Sequence, residues 1–170
     1  EGVEKTGASS YHDAGYKGQD VDVAIIDLGF DYLSEAIDSG DIPSSVIAYT
    51  KDYVGNGLET DTQHGTNVTE IVHDMAPEAD LYLMKADYET ELENAVTDAI
   101  DMGVDVINYS IGWYNSNFYD GTGPDDWGTS GTNVADIAEY ARDNGILWVN
   151  AAGNEANNHW QGSWSDPDGN

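Results

Sequence analysis

The 170-residue sequence contains no cysteine, five lysines and arginines in all, four prolines and two phenylalanines. Without cysteine there can be no disulfide, no thiolate nucleophile and no Cys-ligated zinc. The cations Lys5, Lys17, Lys51, Lys85 and Arg142 are scattered singly. No patch can therefore neutralise a row of phosphates or an anionic bilayer, and neither nucleic acid nor a membrane is expected as a partner. No apolar run approaches the ~18 to 20 residues of a membrane span. No basic leader followed by an apolar stretch opens the sequence, so a secretion signal is expected, if anywhere, outside it.

Acid is what the sequence has in excess: 33 Asp and Glu give a formal net charge of −28. Such a surface repels itself in dilute buffer and is tolerated when salt screens it. Adaptation to concentrated salt is the expectation, and simple solubility is the alternative. Apolar residues at 39% and aromatics at 11% suffice for a core, and the length suits one domain.

Two periodicities alternate along the chain. The β-branched run Val21 to Ile26 ends at Asp27 and Leu28-Gly29, a buried strand stopped by a turn. Asn67 to Met75 places Val68, Ile71, Val72 and Met75 at helical spacing before Ala76-Pro77. Leu81 to Met84 is strand-like. Glu89 to Met102 carries Leu92, Ala95, Val96, Ala99 and Ile100 on one helical face, with Gly103 as its stop. Val104 to Tyr109 returns to strand character. Thr132 to Asp143 is helical in pattern, with Val134, Ile137, Ala138 and Ala141 inward and Asn144-Gly145 beyond. Ile146 to Val149 is a further strand. This order predicts an α/β fold, a parallel sheet with helices on both faces. The stretch from about Asn115 to Ser130 reads as a loop, and the tail from Glu155 shows no closing strand or helix.

In parallel sheets of this kind the chemistry lies beyond the carboxyl ends of the strands. There stand Asp27, then Ser110-Ile111-Gly112, then Ala151-Ala152-Gly153-Asn154. His64 precedes a helix, and imidazoles titrate close enough to neutrality to serve as general bases. Taken singly, His64 could be a helix-capping or surface histidine and Asp27 a turn cap. Taken together, they could stand at one rim, the carboxylate holding the imidazole's second nitrogen.

With these residues in view, the sequence resembles the subtilisin-like serine peptidases over nearly its whole length. Val23-Ala24-Ile25-Ile26-Asp27-Leu28-Gly29 is similar to the family's aspartate motif. His64-Gly65-Thr66-Asn67-Val68, continuing to Met75-Ala76-Pro77, is similar to its histidine motif. Val106-Ile107-Asn108-Tyr109-Ser110-Ile111-Gly112 resembles the strand that pairs with substrate, and Ala151-Ala152-Gly153-Asn154 the segment that lines the specificity pocket and supplies the oxyanion asparagine. The resemblance implies an Asp-His-Ser triad containing Asp27 and His64. It further implies an oxyanion donor at Asn154, and peptide or protein substrate held by Ser110 to Gly112 and by Ala151 to Gly153. It implies no required cofactor. Calcium stays possible but unassigned: Asp166-Pro167-Asp168-Gly169-Asn170 begins a calcium-loop pattern and lacks the distal bidentate carboxylate.

The family's serine motif, Gly-Thr-Ser with Met-Ala and proline, should follow the asparagine well downstream, and nothing of that kind follows Asn154. Gly128-Thr129-Ser130 spells the tripeptide before Asn154, in the wrong place, and Ser130 or Thr132 reads better as a helix cap. Ser163 and Ser165 are too near Asn154 to replace it. Residues 1–170 are thus expected to be part of a subtilisin-like domain, truncated before the nucleophile, inactive alone, partnered by its missing carboxy-terminal part and secreted in its whole form. The alternatives are a degenerate relative that binds peptides without cutting them and, lacking a Gly-rich phosphate loop, a far weaker nucleotide-binding module. Leu28 departs from the usual Thr or Ser, and Thr69-Glu70 from the usual Ala-Gly. His12, His73 and His159 match no motif position, and His73 is expected on the helix surface. Oligomeric state stays open.

Overall fold

The computed structural model describes residues 2–113 and 133–154. Five strands, β1 (Asp22–Asp27), β2 (Ile47–Asp52), β3 (Asp80–Lys85), β4 (Val106–Tyr109) and β5 (Leu147–Asn150), form one sheet in the order β2-β3-β1-β4-β5. Every neighbouring pair is parallel. The helices are α1 (Gly2–Thr6), α2 (Ala8–Asp13), α3 (Leu33–Ser39), α4 (His64–Met75), α5 (Glu89–Met102) and α6 (Val134–Asp143).

β1 lies in the middle of the sheet and is buried on both faces. Ala24 and Ile26 enter one core with Leu92, Val96 and Ala99 of α5 and Val134, Ile137 and Ala141 of α6. Val23 and Ile25 enter the other with Leu33 and Ala36 of α3 and Val68 and Val72 of α4. Each wholly buried aliphatic side chain contributes about 1.5–3 kcal/mol. Helices therefore cover both faces of the parallel sheet, as the alternation of elements predicts.

Several elements differ from the sequence reading. β2 and α3 occupy stretches to which no periodicity pointed, and α1 and α2 precede the first strand. α4 starts at His64 rather than Asn67, and its inward face carries Gly65, Thr66 and Thr69, while Ile71 is 64% and Met75 36% exposed. α6 begins at Val134. Its cap is Asn133, not Ser130 or Thr132: the Asn133 side chain accepts from the Asp136 amide at 3.0 Å, and Asp136 Oδ2 in turn accepts from the Asn133 side-chain amide at 2.8 Å. His73 is half-buried rather than on the surface, and its Nδ1 is sealed from solvent without a hydrogen-bond partner. His12 Nε2 donates to the Met75 carbonyl at 2.9 Å, tying α2 to the end of α4. Gly128 to Ser130, His159, Ser163, Ser165 and the 166–170 segment lie outside the described residues. Among the described residues no helix is long and apolar enough to cross a membrane.

Candidate active site

Parallel strands carry their carboxyl ends to one edge of a sheet. Asp27 ends β1 there, wholly buried, and His64 opens α4 beside it. Two glycines allow the helix to come so close. The Gly65 amide donates to the Gly29 carbonyl at 3.0 Å. A Cβ on Gly65 would stand 2.5 Å from that carbonyl oxygen, and one on Gly29 would stand 2.1 Å from the Thr60 carbonyl oxygen. Thr66 Oγ1 donates to the Asp31 carbonyl at 2.9 Å, and the His64 amide donates to Thr62 Oγ1 at 3.2 Å.

The outcome is a 2.8 Å contact between His64 Nδ1 and Asp27 Oδ2. An ionised carboxylate can only accept, so it holds the proton on Nδ1 and leaves the Nε2 lone pair free. The imidazole is 47% exposed and the carboxylate 0%, which suits a base open to substrate on a fixed support. Burial raises the Asp27 carboxyl above its ordinary pKa, opposed by the His64 hydrogen bond and by the Leu28 and Gly29 amides. The Leu28 amide donates to Asp27 Oδ1 at 2.8 Å, so this position supports the carboxylate through its main chain.

The other predicted residues follow β4 and β5 on the same edge. Ser110 Oγ donates to Asn108 Oδ1 at 3.0 Å, Ile111 packs half-buried against the α5–α6 core, and Gly112 is exposed. The Ala151 amide donates to the Tyr109 carbonyl at 3.0 Å, which continues the β4–β5 ladder. Ala152, Gly153 and Asn154 are exposed, with Gly153 in the left-handed region at φ 85°. Asn154 thus belongs to the rim, two strands away from the Asp27–His64 pair. Burial pushes the neighbouring Tyr109 phenol up to about 12, so it stays protonated near neutrality and offers no second base. Among the described residues, no group of three or more His, Asp or Glu is placed to hold a metal ion.

The Subtilase family model matches residues 18–169, nearly the whole sequence. The chain belongs to the subtilase family. This subtilase is 29% identical to the C5a peptidase of Streptococcus pyogenes serotype M6 over 82% of its own length and 15% of that protein's. It is 29% identical to Subtilisin E of Bacillus subtilis over 91% of its length and 39% of the relative's. The chain therefore spans well under half of the curated relatives it matches. The crystal structure of MycP1 with its N-terminal propeptide removed superposes with a TM-score of 0.58 at 20% identity, covering 98% of this chain and 53% of that one. MycP1 from Mycobacterium smegmatis gives 0.56 at 19% identity. These two likenesses speak for the fold.

One buried charged residue at the level of Asp27 escaped sequence reading. Lys85, at the end of β3 and in register with Asp27, is wholly buried. The pattern Leu81 to Met84 gave no reason to look past the strand's apolar residues.

Proposed function

We propose that this subtilase is the amino-terminal part of a serine endopeptidase that hydrolyses peptide bonds by acyl transfer to water. The 2.8 Å pairing of buried Asp27 with half-exposed His64 carries the reading. Asp27 holds Nδ1–H. His64 Nε2 takes the proton from a serine hydroxyl, supplied by residues beyond this sequence, as that oxygen attacks the peptide carbonyl, and then returns it to the leaving amine. The Asn154 side-chain amide donates to the tetrahedral oxyanion, a kind of contact worth about 2.7–4 kcal/mol. Main-chain groups of Ser110, Ile111 and Gly112 bind an extended substrate as an added strand. Ala151, Ala152 and Gly153, being small, leave room for the side chain before the cut. The missing carboxy-terminal part of the domain is the partner that completes the site, no cofactor is required, and the whole protein acts outside the cell.

The test uses the domain extended through its serine motif. A fluorophosphonate probe should label that serine and a peptide substrate should be cut, with both signals lost in His64→Ala. The 170-residue chain alone should give no burst with an activated ester. Undiminished labelling and hydrolysis in His64→Ala would overturn the reading.

A further inference from the structure

Lys85 is a cation with 0% exposure, an arrangement tolerated only when its charge and donors are satisfied. Among the described residues, the acceptors around it all come from the single loop between β2 and α4. Its Nζ donates to Asn56 Oδ1, to the Gly57 carbonyl at 2.7 Å and to Thr60 Oγ1, and pairs with Asp61 Oδ2 at 2.6 Å. The loop is held in shape around this ammonium. Asp61 sits in the left-handed region at φ 73°, and the Lys85 hydrogen bond, followed by that of Asn56, holds its carboxyl below the ordinary range.

The same loop touches the turn that follows Asp27 and the amide of His64. The Thr60 carbonyl and Thr62 amide press on Gly29, two residues after Asp27. The Phe30 amide donates to the Leu58 carbonyl at 3.1 Å and the Asp31 amide to the Thr62 carbonyl at 2.9 Å. Thr62 Oγ1 accepts from the His64 amide at 3.2 Å. Three positions along the chain separate the counterion of Lys85 from the imidazole, and Lys85 and Asp27 end neighbouring strands at the same level.

We propose that Lys85 is a positioning residue: by winding the Asn56–Asp61 loop around its buried ammonium, it sets the distance and angle at which His64 meets Asp27. The inference rests on the peptidase reading and adds a residue that touches neither substrate nor the reacting atoms.

The experiment uses the domain extended through its serine motif, with two readings. One is kcat against KM. The other is the downfield proton resonance that an imidazole Nδ1–H gives when it donates to a carboxylate. Lys85→Met should lower kcat on the order of 10²-fold, the loss expected for a misplacement of about 1 Å, with KM unchanged and the downfield resonance weakened or lost. Asp61→Asn should move both readings in the same direction by less. Its side chain is 53% exposed and leaves no buried hole, so it carries the decision by itself should Lys85→Met not fold. A lower melting temperature with kcat and resonance intact, in either folded variant, would reduce Lys85 to a structural ion pair and overturn the proposal. Failure of the peptidase reading looks different: the unsubstituted protein would then lack the resonance, and His64→Ala would retain activity.

Discussion

Gly65 donates its amide to the carbonyl of Gly29 across 3.0 Å, and neither residue has room for a Cβ. Through this backbone contact the first turn of α4 rests on the turn after β1, and the separation of Asp27 from His64 follows from it. The contact is testable. Gly65→Ala should destabilise the chain by about 1–3 kcal/mol, the usual cost of overpacking, and should erase the downfield Nδ1–H resonance. A Cβ on Gly112 would meet nothing within 4 Å, so Gly112→Ala should leave urea stability within about 0.5 kcal/mol of the parent. Equal effects of the two substitutions would contradict the packing described.

Asp27 is supported at a cost in stability. Burial raises its pKa in the folded chain, so the ionised form weighs against folding above that raised pKa, and the penalty is relieved as the pH falls through it. Asp27→Asn should therefore match or exceed the parent in urea stability at neutral pH, and its advantage should shrink in mildly acid buffer. In the complete domain the same change should cost about 10⁴-fold in kcat, because an amide facing Nδ1 favours the wrong tautomer. A variant less stable than the parent at neutral pH would count against this account.

The cap of α6 gives a simpler measurement. Asn133 and Asp136 satisfy one another's donors at the helix start, and Asn133→Ala should lower urea stability by about 1 kcal/mol. No change would mean that the helix begins elsewhere.

Salt addresses the net charge of −28. Raising KCl from ~0.1 to ~1 M shortens the screening length from about 10 to 3 Å, and the melting temperature should rise accordingly. A flat or falling curve would remove adaptation to concentrated salt and leave the acidity as an aid to solubility.

Much of the scaffold could be read from residue order alone, for identifiable reasons. Strands such as β1 and β3 are buried on both faces and appear as unbroken apolar runs. α5 buries Leu92, Ala95, Val96 and Ala99 at helical spacing and stops at Gly103, which is left-handed at φ 79°. Asp27 and His64 could be picked out because each follows or opens a recognisable element. β2 escaped because an edge strand keeps polar residues interleaved, with Ala48, Thr50 and Lys51 exposed. α3 escaped because only Leu33 and Ala36 are buried in it. On α4 hydropathy pointed to Ile71 and Met75, whereas the close approach to Gly29 needs the small Gly65, Thr66 and Thr69 inward. Lys85 was illegible since its partners lie 24 to 29 positions earlier, a pairing visible only once the loop is folded.

The alternation along β1 has a further consequence. Val23 and Ile25 face α3 and α4, and Ala24 and Ile26 face α5 and α6, so Asp27 leaves the sheet on the side where His64 waits. Because side chains switch faces at every step, sliding this strand by a single residue would carry the carboxylate through the sheet to the opposite layer. The oily residues that set the strand's phase thereby act as a proofreading device for the pairing: a chain that packs out of step is also one that cannot bring Asp27 to His64.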